Sequence, residues 1–390
     1  MGARTRYGIV VLALEVQFWF PVWLLFLLDR GITTEQASVA DGVFRLIATV
    51  FEVPVGWFSD RIGRKRSLYL ALIGTFITFL LIAYVHDLPS LFIAWSVWGL
   101  VWALVSGLLT AYGWELGSQI EGNGPATATE FIRIRRVCAA LAMIVSLISA
   151  GALYDVSPAL PFLITGVVAV AVIPVAWGLP DIKRTVVQTN PTCTSLVKVP
   201  SGEVRWAIVA GSIVLISGWS IQMVFQPVGL EASLTPKEIS LLFAGFGLAQ
   251  LIGAWFVGKL PFARRTVLVV SVVGIALMCL GVWLGFMLEL SVWIPLVLLV
   301  SLGIFYSVGT AYCDIWVSKL SSTSNRATML SLVSLLGGVV MVFTRPLLGF
   351  ISGGVSASAA CGIWGAVCFA FAFGLWLLLV KKDSQSVRKS

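Results

Sequence analysis

The chain has 390 residues, of which 59% are hydrophobic and only 11% charged, at a mean hydropathy of +0.99. A soluble domain carries about 25% charged residues, so a water-solvated globule is excluded. The formal charge is +8, yet the bases sit in short turns between apolar runs, which is a membrane's positive-inside pattern and not a nucleic-acid face.

Crossing a bilayer takes about 20 apolar residues per helix. Twelve such runs follow one another, at roughly 7–28, 38–58, 67–86, 90–113, 132–154, 159–179, 205–229, 238–259, 266–288, 292–315, 327–350 and 359–380. The N-terminal MGARTRYG has no small-residue cleavage site after it and its apolar stretch is span-length, so it is expected to be retained. The longest polar break, 180–204, divides the runs into two sets of six. The expected architecture is therefore an all-α membrane protein with six-helix bundles at 1–179 and 205–390, joined by a cytoplasmic linker at 180–204. Nearly all bases fall on one side, from Arg4 and Arg6 to the C-terminal tail, and only Arg30 and Lys237 fall in the opposite turns. That asymmetry places both termini in the cytoplasm and the chain in the plasma membrane. Five of six cysteines (Cys138, Cys279, Cys313, Cys361, Cys368) lie in apolar runs, and Cys193 in the linker. Their spacing fits neither a disulfide framework nor a zinc site, and a single histidine, His86, excludes a His-based metal site.

The halves repeat each other. VGWFSDRI at 55–62 aligns with GAWFVGKL at 253–260, and Thr110-Ala111-Tyr112 recurs as Thr310-Ala311-Tyr312. Both matches respect span order, second with eighth and fourth with tenth, so two related bundles around a central cavity are the expected consequence.

The densest motif is Gly56 to Arg66, GWFSDRIGRKR, in the turn between the second and third runs. Gly56 admits a close neighbour and Gly63 a tight bend, while Asp60 is set among Arg61, Arg64, Lys65 and Arg66. Such a cationic turn is held on the cytoplasmic side. The stretch resembles the loop 2–3 signature of the major facilitator superfamily, G-x-x-x-D-R-x-G-R-[KR]-[KR]. Glu52–Pro54 and Arg326–Ser331 are similar to the drug-efflux-like branch. The resemblance implies a major facilitator fold and a cytoplasmic gate in which Asp60 pairs with Arg64 and with the start of span eleven near Ala327. A carboxylate at a helix N-terminus is also stabilised by the partial positive charge there. The second copy departs from the pattern, with Gly258 where Asp60 stands. Span four lacks the arginine of many proton-coupled relatives, and only Gly151 remains of the antiporter signature in span five.

Ionisable groups inside spans cost about 2.5–3.5 kcal/mol on insertion scales, so each needs a reason. Glu15, Arg45, Glu52 and Arg345 qualify as coupling candidates, with Glu15 or Glu52 as the group that protonates. Asp41, Arg45, Ala48 and Glu52 share one helical stripe, which makes Arg45 the expected local partner of Glu52 and Arg345 a partner in space. Glu15 has no nearby base in sequence and is the candidate for proton coupling. The resemblance implies that spans one, four, seven and ten line the cavity. Each offers one face: Trp95, Trp98 and Trp102 in span four, with Tyr112 further along; Trp219, Gln222 and Gln226 in span seven; Tyr306, Thr310 and Cys313 in span ten. Aromatics with a few amides and hydroxyls suit an amphipathic ligand. Interfacial anchoring of single tryptophans is the bland alternative.

Gly253 to Lys259 imitates a phosphate-binding loop, but Leu260 replaces the needed hydroxyl and no strand precedes it, so no nucleotide cofactor is expected. Glu115 and Asp314 are read as capping or gating groups rather than paired catalytic acids, and no enzyme activity is expected. The expected function is proton-coupled export of hydrophobic or amphipathic compounds by a monomer in the bilayer, without nucleic acid, metal or cofactor. Two alternatives stay open: an importer or facilitator of a polar or anionic metabolite held by Arg45 and Arg345, and a membrane receptor without net transport.

Overall fold

A backbone in hydrocarbon must satisfy its amides internally, and the helix does so within one segment. The computed structural model describes residues 1–119, 125–182, 202–260, 263–321 and 326–387, the side chains at 125, 126, 326, 327 and beyond 378 excepted; no strand occurs among them. The chain is an all-α membrane protein. Most of the expected linker, at 183–201 with Cys193, lies outside the described residues, as do the side chains of the C-terminal basic tail.

Each expected span coincides with a helix or a broken helix. Span one is α1 (Ala3–Glu15) and α2 (Trp23–Leu28), and spans two to five are α3 (Thr34–Ile62), α4 (Arg64–Ala83), α5 (Leu88–Gln119) and α6 (Pro125–Val156). Span six divides at Val172 into α7 (Leu160–Ala171) and α8 (Ile173–Trp177), because Pro174 cannot continue the hydrogen-bond ladder. Span seven is α9 (Glu203–Ser220), a 3-10 turn at Ile221–Val224, and α10 (Phe225–Glu231). The remainder are α11 (Pro236–Phe256), α12 (Arg264–Met287), α13 (Trp293–Leu320), α14 (Arg326–Gly354) and α15 (Ala357–Val387). Ten described segments are long and apolar enough to cross a membrane by themselves. Span one falls short because it is broken. The 29-residue α3 carries Asp41, Arg45, Glu52, Asp60 and Arg61.

The contacts divide the chain into two compact units, Met1–Thr189 with Thr235–Leu241, and Asn190–Leu234 with Leu242–Ser390. Within the first, α3 and α4 pack on α5, and α1 packs on α6. Its core joins Tyr7, Val10 and Val11 to Leu68, Leu72, Leu109, Tyr112 and Phe131. Within the second, α12 packs on α13 and α15, and α9 on α13 and α14.

The internal repeat extends into the packing. A Cβ on Gly99 would lie 2.9 Å from the Phe44 carbonyl, and one on Gly303 would lie 2.5 Å from the Phe246 carbonyl. Only glycine allows α5 to approach α3, and α13 to approach α11, that closely; in lipid such small-residue contacts supply much of the association. Phe44 stacks on Trp98 with ring centroids 6.1 Å apart, and Phe246 on Tyr306 at 6.3 Å. The starts of α3 and α11 match as well. Thr33 and Gln36 form a capping box, with Thr33 N to Gln36 Oε1 at 3.0 Å. Thr235 and Glu238 repeat it, with Thr235 N to Glu238 Oε2 at 2.8 Å.

Candidate transport site

The break in span one is the polar centre of the first unit. Residues 16–22 leave the helix, held by turn bonds from Phe20 N to Gln17 O and Val22 N to Trp19 O, both 3.1 Å. Glu15 is the last residue of α1, and its Oε1 accepts from Arg135 Nη2 of α6 at 3.1 Å. The two side chains are 21% and 23% exposed, so water screens the pair only in part. Two residues on, Gln17 N donates to Ser146 Oγ of α6 at 2.8 Å. Two polar contacts thus tie the unwound segment to one neighbouring helix.

Trp19 projects from the same break into an aromatic cluster. Its ring lies 5.6 Å from Phe79 and 5.9 Å from Trp98, and Trp98 in turn lies 5.6 Å from Trp102. The Trp19 indole nitrogen is buried with no hydrogen-bond partner among the described residues. A buried N–H without an acceptor is uncommon enough to call for one. Trp98 itself is 7% exposed, wedged between Phe44, Phe79 and Trp102. Trp95 packs on Trp23, and Tyr112 sits fully inside the core with its hydroxyl donating to Pro180 O at 2.8 Å.

In the second unit the 3-10 turn of span seven is held by Arg345 of α14. This arginine is 5% exposed, donates through Nη1 to Trp219 O at 3.0 Å, and has Nη2 3.9 Å from Met223 Sδ. Gln222 in that turn and Gln226 just after it are both buried, Gln222 Nε2 reaching Gly218 O at 3.5 Å. Tyr306 covers Gly218, and Thr310 Oγ1 donates within its own helix to Tyr306 O at 2.9 Å.

Two expectations about charge pairing need correction. Glu52 makes no ion pair among the described residues and is exposed, while the Arg45 guanidinium lies 5.4 Å from the Phe44 ring centre. Seven residues along a helix is a rise of about 10.5 Å, so Glu52 and Arg45 share a stripe without touching. For Glu15 the partner is neither Arg45 nor Arg345 but Arg135 of α6.

At the basic hairpin, Asp60 Oδ1 and Arg64 Nη2 are 2.9 Å apart, and Arg64 Nε donates to Glu115 Oε1 of α5 at 3.1 Å. Gly63 ends α3 at φ +92°, a backbone conformation that side chains disfavour. Lys65 donates to Trp177 O at 2.9 Å, and Arg61 lies over the Trp57 ring. Gly56 is open, with nothing near its would-be Cβ. The family-implied partner of Asp60 near Ala327 lies outside the described side chains. In the second copy Gly258 turns at φ +79° and donates its N–H to Tyr312 Oη at 3.3 Å, so the position of Asp60 holds a bend instead of an acid.

A family model described as Major Facilitator Superfamily matches residues 207–390. The chain is 21% identical over 369 residues to YxaM of Bacillus subtilis (strain 168), named as an uncharacterized MFS-type transporter, covering 89% of this chain and 88% of that one. The uncharacterized MFS-type transporter MJ1317 of Methanocaldococcus jannaschii is 31% identical over 128 residues, 33% of this chain and 31% of its own. The fold is similar to the nucleoside transporter NupG, with a TM-score of 0.79 at 14% identity, covering 97% of this chain and 99% of that one. It is also similar to a D-xylose-proton symporter, with a TM-score of 0.74 at 14% identity over 96% of each chain. The second half of the chain thus matches the Major Facilitator Superfamily model, and the whole chain has the fold seen in solved transporters.

In this chain the residues that the sequence analysis did not name had a signal. Val16–Val22 (VQFWFPV) and Ile221–Val228 (IQMVFQPV) are a third repeat, the second copy carrying one extra residue at Gln226. The first copy is the break of span one, and the second starts as the 3-10 turn of span seven and runs into α10. Prolines Pro21 and Pro227 stand at corresponding positions of the repeat. Discontinuous helices in equivalent positions of two halves are a known pointer to the site of a transporter. Gln17, Trp19 and Ser146 could have been named from that repeat, whereas Arg135 could not.

Proposed function

We infer that the chain is a secondary transporter that carries a small amphipathic molecule by alternating access, coupled to protons, in the plasma membrane with both termini in the cytoplasm. The bundles 1–179 and 205–390 are the two moving bodies in this reading, and 180–204 is their linker. The observation that carries it is the break in span one, which sets an acid, an amide and an open indole N–H within one short segment of an otherwise apolar span, with a base from α6 against the acid. The edge-to-face rings of Trp19, Trp98 and Trp102 offer an aromatic, apolar wall, and Trp19 Nε1 supplies a donor at its edge. Glu15 is the coupling group. Protonation would release Arg135, and the freed guanidinium can then be met by an acceptor on the cargo. Asp60, Arg64 and Glu115 form the cytoplasmic gate, with Gly56, Arg61, Gly63 and Lys65 shaping its turn. On this reading the direction is export in exchange for protons.

A second reading, uptake of a polar metabolite, is favoured by the buried amides Gln222 and Gln226 next to the Arg345-held turn. Counterflow in proteoliposomes with panels of hydrophobic cations, nucleosides and sugars separates the two, since each predicts exchange of only its own class. Glu15→Gln tests coupling in the same vesicles. Counterflow should persist while accumulation driven by a pH gradient disappears. Undiminished pH-driven accumulation by Glu15→Gln would remove Glu15 from the mechanism.

A further inference from the structure

Two surface features outside the transport site repeat one arrangement, a cation over an indole. At the end of α3, the Arg61 guanidinium lies 3.6 Å from the centre of the Trp57 ring. Just past α11, the Lys259 ammonium lies 3.2 Å from the centre of the Trp255 ring. In each case the base follows the tryptophan by four residues, one helical turn, and the two copies are offset equally along the chain. Both indoles are open, Trp57 at 55% and Trp255 at 64% exposure, and both bases are exposed.

Neither base forms an ion pair among the described residues. The other cations of the first hairpin behave differently: Arg64 is held by Asp60 and Glu115, and Lys65 by the Trp177 carbonyl. The faces next to the two tryptophans are strongly apolar, with Val53 and Phe58 beside Trp57, and Leu251 and Ile252 beside Trp255, all exposed. On a membrane-spanning helix, apolar side chains with this exposure meet acyl chains. A tryptophan at a helix end sits at the headgroup level. A cation held over its ring is oriented and partly desolvated, and it still carries a full positive charge toward the headgroups.

We propose that Trp57–Arg61 and Trp255–Lys259 are two repeat-related binding sites for an anionic phospholipid, the cation taking the phosphate and the indole with its apolar neighbours taking the glycerol and upper acyl region. The occupant is a lipid and not a soluble anion, because the wall of each site is apolar and faces the bilayer. Each unit carries its own site, so occupancy of one does not require the other. Arg64 and Lys65 are excluded from the site by the partners they already have.

The test is native mass spectrometry of the full chain released from nanodiscs of phosphatidylcholine with a minority of phosphatidylglycerol. The wild type should retain two phosphatidylglycerol molecules after mild delipidation, Arg61→Gln and Lys259→Gln one each, and the double variant none. Trp57→Leu and Trp255→Leu should each lower retention at their own site while leaving the charge unchanged. Arg66→Gln, an exposed base of the same hairpin without an aromatic platform, should leave the count at two. Equal retention by the double variant and the wild type would overturn the proposal. So would an equal loss in Arg66→Gln, which would reduce the effect to net charge, or equal retention of phosphatidylcholine. Unchanged gel-filtration profiles and thermal midpoints separate loss of lipid from loss of fold.

Discussion

Replacing Arg135 by methionine leaves Glu15 partly buried at the break of span one without its partner. Removing one member of a buried pair costs about 3–5 kcal/mol when the other stays charged. Glu15 is 21% exposed, and it can also take a proton, which sets a ceiling on the penalty. From an ordinary glutamate pKa of about 4.3, neutralising the carboxyl costs about 3.7 kcal/mol at pH 7 and about 1 kcal/mol at pH 5. With screening, the expected loss at pH 7 is about 2–3 kcal/mol, a fall in thermal midpoint of about 4–12 °C, shrinking to about 2–4 °C at pH 5. The assay is thiol labelling on heating, which suits a chain in which Cys279, Cys313, Cys361 and Cys368 are free and buried until it unfolds. Combining Glu15→Gln with Arg135→Met removes both charges and should recover most of the loss at pH 7. An equal fall at both pH values, or no recovery in the double variant, would show that Arg135 acts through packing and not through Glu15.

The α5–α3 approach makes Gly99→Leu destabilising by about 1–3 kcal/mol, since its Cβ would already meet the Phe44 carbonyl at 2.9 Å. Gly107→Ala on the same helix, with nothing within 4 Å, should leave the thermal midpoint unchanged or raised. Thr33→Ala and Thr235→Ala each break one capping box and should each cost about 1 kcal/mol, additively, by thermal denaturation of the single and double variants. Asp60→Asn removes an i,i+4 pair that is partly exposed, worth about 0.3–0.5 kcal/mol, so its thermal midpoint should hardly move. Its transport rate should nevertheless fall at least tenfold if Asp60 is the gate, and wild-type flux would argue for a topogenic turn only.

Much of this protein was written locally. Helix positions follow from runs of apolar residues, because a span must match the bilayer's thickness whatever surrounds it, and each of the expected spans met a helix. The Asp60–Arg64 pair was readable too, from the resemblance of the turn that joins α3 to α4. The packing repeat of Phe44–Gly99 and Phe246–Gly303 follows from the duplication but was hidden, since the glycines differ from their neighbours only in what approaches them.

What the sequence by itself determined is the all-helical membrane class, the order of the spans and the two-fold repetition, all of which depend on short-range hydropathy and on a motif a dozen residues long. The tertiary structure alone decided that span one unwinds after Glu15, that Arg135 answers Glu15 from 120 positions away, and that Arg345 is committed to the carbonyl of Trp219. The physical reason is range. Insertion energy is summed residue by residue along the chain, whereas the partner of a charge in low dielectric is set by which helices pack together, and no local pattern encodes that choice.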